Sequence, residues 1–141
     1  HSQPLRAQHI GEDITLLRSD NAFHLVLVNP GIGVSTPEVF GALQKKQNSA
    51  MAFGDSNQFP NLKTIIALRN DLQTPANKIA PMIATVLGKL DQAGAIMSRM
   101  SGSGATCFGM FENAKLAKEA CKAINSAHPE WWCVATRTIV S

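Results

Sequence analysis

The chain of 141 residues is 45% apolar and 16% charged, enough apolar material for one core and too little for two domains of ordinary size. Its 13 Lys+Arg against 10 Asp+Glu leave a net charge of +3, scattered along the sequence, which argues against nucleic acid or an anionic lipid surface as a partner. No window approaches the roughly 18 apolar residues of a membrane span, and His1-Ser2-Gln3-Pro4-Leu5 lacks the basic and apolar regions of a leader, so a cytoplasmic protein is expected.

The sequence does not start with Met, which suggests a piece of something larger. Asp13-Ile14-Thr15-Leu16-Leu17 is a weak strand, expected to lie at the edge of a sheet. Phe23 to Val28, bounded by Asp20-Asn21 and Asn29-Pro30-Gly31, has the apolar, partly β-branched composition of a central buried strand. The hydroxyl of Thr36 before Pro37 matches an N-cap followed by a first helical residue, opening a helix to about Gln44. Lys45 to Asn61 is polar and rich in Gly, Asn and Pro, the pattern of a loop. A short helix over Asn61 to Leu68 follows.

From Thr74-Pro75 onward, Ile79, Ile83, Val86, Leu87 and Leu90 fall on one stripe at three- and four-residue steps, predicting an amphipathic helix that ends at Gly94. Ala95 to Met100 and Ala105 to Phe111 are strands joined by Ser101-Gly102-Ser103-Gly104. Asn113 caps a helix carrying Leu116, Ala117, Ala120, Cys121 and Ile124 at helical spacing, and Trp132 to Val140 is a last strand, entered through a Trp131-Trp132 packing anchor. From Phe23 the order is strand, helices, strand, strand, helix, strand. That is the split β-α-β order of a ferredoxin-like α+β sandwich with helices inserted after its first strand.

Two segments suggest ligand chemistry. Ser101 to Gly109 combines glycines with small hydroxyl residues, so that successive backbone N–H groups could cradle an anion. Cys107 stands where a dinucleotide fingerprint needs Gly, and Met110-Phe111 stand where a phosphate-binding P-loop needs Lys and Ser or Thr. A Gly-rich hairpin turn explains the segment equally well. Asn29 to Phe40 leaves the end of the central strand, where ligand crevices form, and Pro37 and Phe40 share a helix face on which a planar base could stack; capping and packing account for the same spacing. Asp71 could act as a base, although Asx turns and N-caps use Asp in the same way. The histidines His1, His9, His24 and His128 show no metal-ligand spacing, and Cys107, Cys121 and Cys133 contain no C-x-x-C pair, so reduced, partly buried thiols are expected.

Taken in order, the Asn29-Pro30-Gly31 segment running to Phe40, Asn70-Asp71-Leu72, and Met100 to Gly109 resemble the GHMP kinase superfamily, within it the kinases of the non-mevalonate route to isoprenoids. The resemblance covers nearly the whole chain and matches only the C-terminal domain of such enzymes. It implies ATP-dependent phosphorylation, with magnesium, of the 2-hydroxyl of 4-diphosphocytidyl-2-C-methyl-D-erythritol. It implies a cytosine contact at Thr36, Pro37 and Phe40, completed by an aromatic residue of an N-terminal domain, and a phosphate-approaching glycine motif at Gly102, Ser103, Gly104 and Ala105. The ATP loop, catalytic Asp and helper Lys would lie upstream of His1, making this chain inactive alone. It would expose an apolar surface where its own N-terminal domain packs. A different expectation, resting on element order alone, is a stand-alone ferredoxin-like ligand-binding or regulatory module.

Overall fold

The computed structural model describes residues 5–8, 13–16, 22–43 and 62–138. The expected Lys45–Asn61 loop lies outside them. Two compact units are present, the first comprising His1–Ala22, Ala50–Leu68 and Thr138–Ser141, the second Phe23–Ser49 and Arg69–Arg137.

In the first unit, strand β1 (Leu5–Gln8) pairs antiparallel with β2 (Asp13–Leu16), Leu5 opposite Leu16 and Gln8 opposite Asp13. The Asp13 strand was expected at the edge of the main sheet. Instead it finds its partner just upstream, in a two-stranded sheet of its own. Helix α2 (Leu62–Ala67) matches the short helix expected there.

The second unit is built on strands β3 (His24–Asn29), β4 (Met97–Met100), β5 (Cys107–Phe111) and β6 (Trp132–Arg137), with helices α1 (Thr36–Gly41), α3 (Gln73–Ile79), α4 (Met82–Gln92) and α5 (Ala114–Ala127). The sheet order is β4-β5-β3-β6, all neighbours antiparallel. Counting strands from β3, this is the 2-3-1-4 order that a ferredoxin-like fold requires, so the fold expectation holds. Val26 and Val28 of β3 and Cys107 and Phe111 of β5 point toward the helices, where they meet Ile83, Val86, Leu87 and Leu90 of α4 and Ala117, Ala120, Cys121 and Ile124 of α5 in one buried cluster. The period of two along the strands and of three to four along the helices places these residues on facing surfaces.

The expected single helix from Thr74 to Gly94 is two helices. Pro81 breaks it: the residue before a proline is sterically pushed out of the helical region, and Ala80 has φ −133° and ψ 86°. The break turns Ile79 outward, 38% exposed, while Ile83 to Leu90 keep the buried stripe. Gly94, at φ +98°, ends α4 as expected. Its N–H donates to Asp91 O and that of Ala95 to Leu90 O, satisfying carbonyls that the helix end would otherwise orphan. Asn113 caps α5 through its side chain, accepting from Leu116 N at 2.9 Å. Of the two tryptophans only Trp131 is an anchor, buried and stacked on His128 with ring centroids 3.7 Å apart; Trp132 faces outward.

Candidate functional site at the end of the central strand

The end of β3 at Asn29 is where the expected site residues gather. Asn29 Oδ1 accepts from Gly31 N at 2.8 Å, forming an Asx turn, and Gly31 supplies the positive φ of 76° that the turn needs. The Asn29 amide group donates in turn to Thr106 Oγ1 at 3.1 Å, tying the exit of β3 to the loop between β4 and β5. The chain then enters α1.

Here the cap sits one residue earlier than expected. Ser35, extended at φ −73° and ψ 117°, accepts from Glu38 N at 3.4 Å, so Thr36 is the first helical residue and Pro37 the second. Proline is tolerated there because first-turn N–H groups have no partner inside the helix. The shift releases the Thr36 hydroxyl from capping, and it meets Ser103 Oγ at 2.8 Å. Two segments 67 residues apart are joined by that contact. Phe40, one turn beyond Thr36, is 50% exposed, an aromatic ring left available to a planar partner.

The β4–β5 loop is closed by Ser101 N donating to Thr106 O at 2.8 Å and Gly104 N to Ser101 O at 3.1 Å. Two of its amides are therefore used within the loop, which shortens the expected run of anion-facing N–H groups. Gly102 and Gly104 adopt φ of +57° and +97°. Gly104 has a second reason to lack a side chain: a Cβ there would stand 3.0 Å from Met100 Sδ and 3.3 Å from Ile83 Cδ1. Ala105 is buried beneath the loop, while Gly102 and Ser103 lie nearer its surface.

Asn70 is the residue whose role sequence reasoning missed, although it stood beside the suspected Asp71. Its Nδ2 donates to Met100 O and to Gly102 O, both at 2.8 Å, and its Oδ1 accepts from Leu72 N at 3.0 Å. Gln73 Oε1 accepts from Met100 N at 3.0 Å from the first turn of α3. The start of α3 thus grips the entry to the glycine loop, at Met100 and Gly102. Asp71 instead pairs at the surface with Arg69 Nε at 2.8 Å, and neither caps a helix nor enters the Asn29 cluster. An Asx turn ahead of a helix was the available signal, and it belonged to the Asn.

Among the described residues no three His, Cys, Asp or Glu side chains form a group that could hold a metal ion. No helix among them is long and apolar enough to cross a membrane.

A split β-α-β sheet whose central strand ends beside a glycine loop defines an α+β sandwich domain of ferredoxin-like topology. The chain belongs to the family described as GHMP kinases C terminal, whose model matches residues 42–130. Proteins named 4-diphosphocytidyl-2-C-methyl-D-erythritol kinase are its relatives in sequence. That of Rhizobium etli is 45% identical over 138 residues, covering 98% of this chain and 46% of the relative. That of Rhizobium leguminosarum bv. trifolii is 46% identical over 140 residues, covering 98% of this chain and 47% of the relative. The chain spans about half the length of these curated relatives. A crystal structure of 4-(cytidine 5'-diphospho)-2C-methyl-D-erythritol kinase superposes with a TM-score of 0.70 at 25% identity, covering 94% of this chain and 49% of that one. Mevalonate kinase of L. major, at 16% identity and a TM-score of 0.69 over 97% of this chain and 48% of that one, shares the fold.

Proposed function

We propose that the protein carrying this chain is a cytoplasmic kinase that moves the terminal phosphoryl group of ATP to the 2-hydroxyl of 4-diphosphocytidyl-2-C-methyl-D-erythritol, and that residues 1–141 are its C-terminal, substrate-binding part. The hydroxyl oxygen bonds to phosphorus as the bond to the ADP oxygen breaks. Phosphoryl transfer asks a protein mainly for positioning and charge stabilisation, so a domain that only places the acceptor makes a real contribution.

The observation that carries this reading is the 2.8 Å contact between Thr36 and Ser103, which sets the exposed Phe40 helix beside the glycine loop. In this reading Phe40 and Pro37 offer the cytosine a flat apolar face, Thr36 fixes the helix against the loop, and Gly102 to Ala105 lie toward the phosphates. The relatives' names supply the substrate. The base that deprotonates the hydroxyl, the main ATP loop and the magnesium that accompanies ATP are assigned to the protein's N-terminal domain.

The test is ADP release from ATP and 4-diphosphocytidyl-2-C-methyl-D-erythritol by the chain extended to the length of its relatives, beside its Phe40→Ala variant. Substrate-dependent release is expected, with KM for the cytidine substrate raised about tenfold or more in the variant, from the loss of base stacking. A folded protein that releases no ADP in response to substrate overturns the kinase reading; an unchanged KM removes Phe40 from the binding face.

A further inference from the structure

Helix α5 and strand β6 bring two thiols together, Cys133 standing opposite Val28 near the end of β3. Cys133 Sγ lies 3.4 Å from Cys121 Sγ and donates to it. Cys121 Sγ also accepts from Asn125 Nδ2, one helical turn on, at 3.6 Å. Cys121 is 9% exposed and lines an open cavity of about 390 Å³ whose other walls are Lys118, Lys122, Asn125, Ser126 and Ala135. The Cys121 sulfur thus accepts two hydrogen bonds, Lys118 and Lys122 stand on the walls beside it, and the cavity gives a small reagent access to it. Cys107, in contrast, sits at 0% exposure in the core.

We propose that Cys121 and Cys133 form an oxidisable pair: Cys121 is the sulfur that reacts with a hydroperoxide and Cys133 is the partner that closes a disulfide onto it. The Cys121 thiolate attacks one peroxide oxygen, the O–O bond breaks and hydroxide departs, leaving a sulfenic acid. Cys133 then surrenders its proton and its sulfur attacks that of Cys121; the S–O bond breaks and water leaves. Net, two thiols and one hydrogen peroxide become one disulfide and two waters.

The division of roles follows from the hydrogen bonds. Cys133 is the donor within the pair, and burial together with the Cys121 contact pushes its thiol up to about 12. Cys133 therefore holds its proton, and Cys121, which lines the cavity, is the sulfur a peroxide meets. The product staples the helix to the edge strand across the segment between them, constraining the unfolded chain.

The experiment treats the protein with hydrogen peroxide and maps its peptides by mass spectrometry without reductant. The expected result is a cross-linked pair of peptides containing Cys121 and Cys133, lighter by two hydrogens, with Cys107 still a thiol. In Cys133→Ser the intermediate has no partner, and the sulfenic-acid reagent dimedone should label Cys121. Lys118→Glu, at an exposed position, should slow that labelling about threefold or more by reversing a neighbouring charge. Thermal melting of each variant separates loss of fold from loss of chemistry, and the wild-type peptide map stands without any substitution. Wild-type protein that keeps both thiols through peroxide treatment overturns the pair. Dimedone on Cys107, or none on Cys121 in a folded Cys133→Ser protein, overturns the assignment.

Discussion

Replacing Asn70 with Ala removes three hydrogen bonds at once, to Met100 O, Gly102 O and Leu72 N. Water can replace the amide at the exposed Gly102 O but less readily at the partly buried Met100 O, so the expected cost is about 1–3 kcal/mol, read as a lower urea midpoint. Asp71→Ala, one residue on, loses only an ion pair whose side chains are 42% and 40% exposed, and should change the same midpoint by less than about 1 kcal/mol. A comparable loss from both would show that the grip on the loop is shared. The contrast is chemical: a carboxylate only accepts, whereas the amide of Asn70 donates to two carbonyls and accepts from an N–H in one pose.

At the scale of elements, the split of the expected long helix at Pro81 separates two isoleucines that sequence spacing had put on one stripe. Ile83→Ala should cost about 2–5 kcal/mol, because Ile83 is fully buried and its removal leaves a cavity beside Met100 and Gly104. Ile79→Ala, on the exposed side of the break, should move stability by no more than about 0.5 kcal/mol in the same denaturant series. Much of this layer was legible in advance. Asn113 capped its helix, Gly94 ended α4, and the alternation of strands and helices from Phe23 gave the sheet order. The misses share one cause, a local signal read without its competitor. Pro81 overrode a strong helical period, Ser35 took the cap from Thr36, and the Asp13 strand preferred a neighbour close in sequence. The Thr36–Ser103 contact was beyond sequence reasoning, since nothing local reports a meeting across 67 residues.

For the whole molecule, the buried thiols set an alkaline limit. Burial pushes Cys107 up to about 12 from an ordinary 9.0, and Cys133 likewise to about 12. Unfolded, each releases its proton near 9; folded, each holds it until near 12. The native state thus binds more protons in that window, so stability is intact at neutral pH and falls as pH climbs from 9 toward 12. Urea midpoints at about pH 8 and pH 11 should show the decline, with a smaller drop in Cys107→Ala; an equal drop in that variant would place the cause elsewhere.

Strand β3 is hydrogen-bonded on both sides, yet neither neighbour is near it in sequence: His24 lies opposite Phe111 on one flank and Arg137 on the other. During synthesis this strand leaves the ribosome with no sheet to join. The β4–β5 hairpin, closed by a short loop, can assemble while β3 still waits, and β6 arrives last of all. Docking β3 onto that hairpin must close the long stretch of chain between Val28 and its partner Cys107, an entropic cost that the later addition of β6, one helix beyond β5, does not repeat. Until then the Val26 and Val28 strand is an uncovered apolar edge, a template for pairing with another nascent chain. The arrangement that makes β3 the most secure strand once folded therefore makes it the most vulnerable one beforehand, and the yield of native protein should depend on how long that interval lasts.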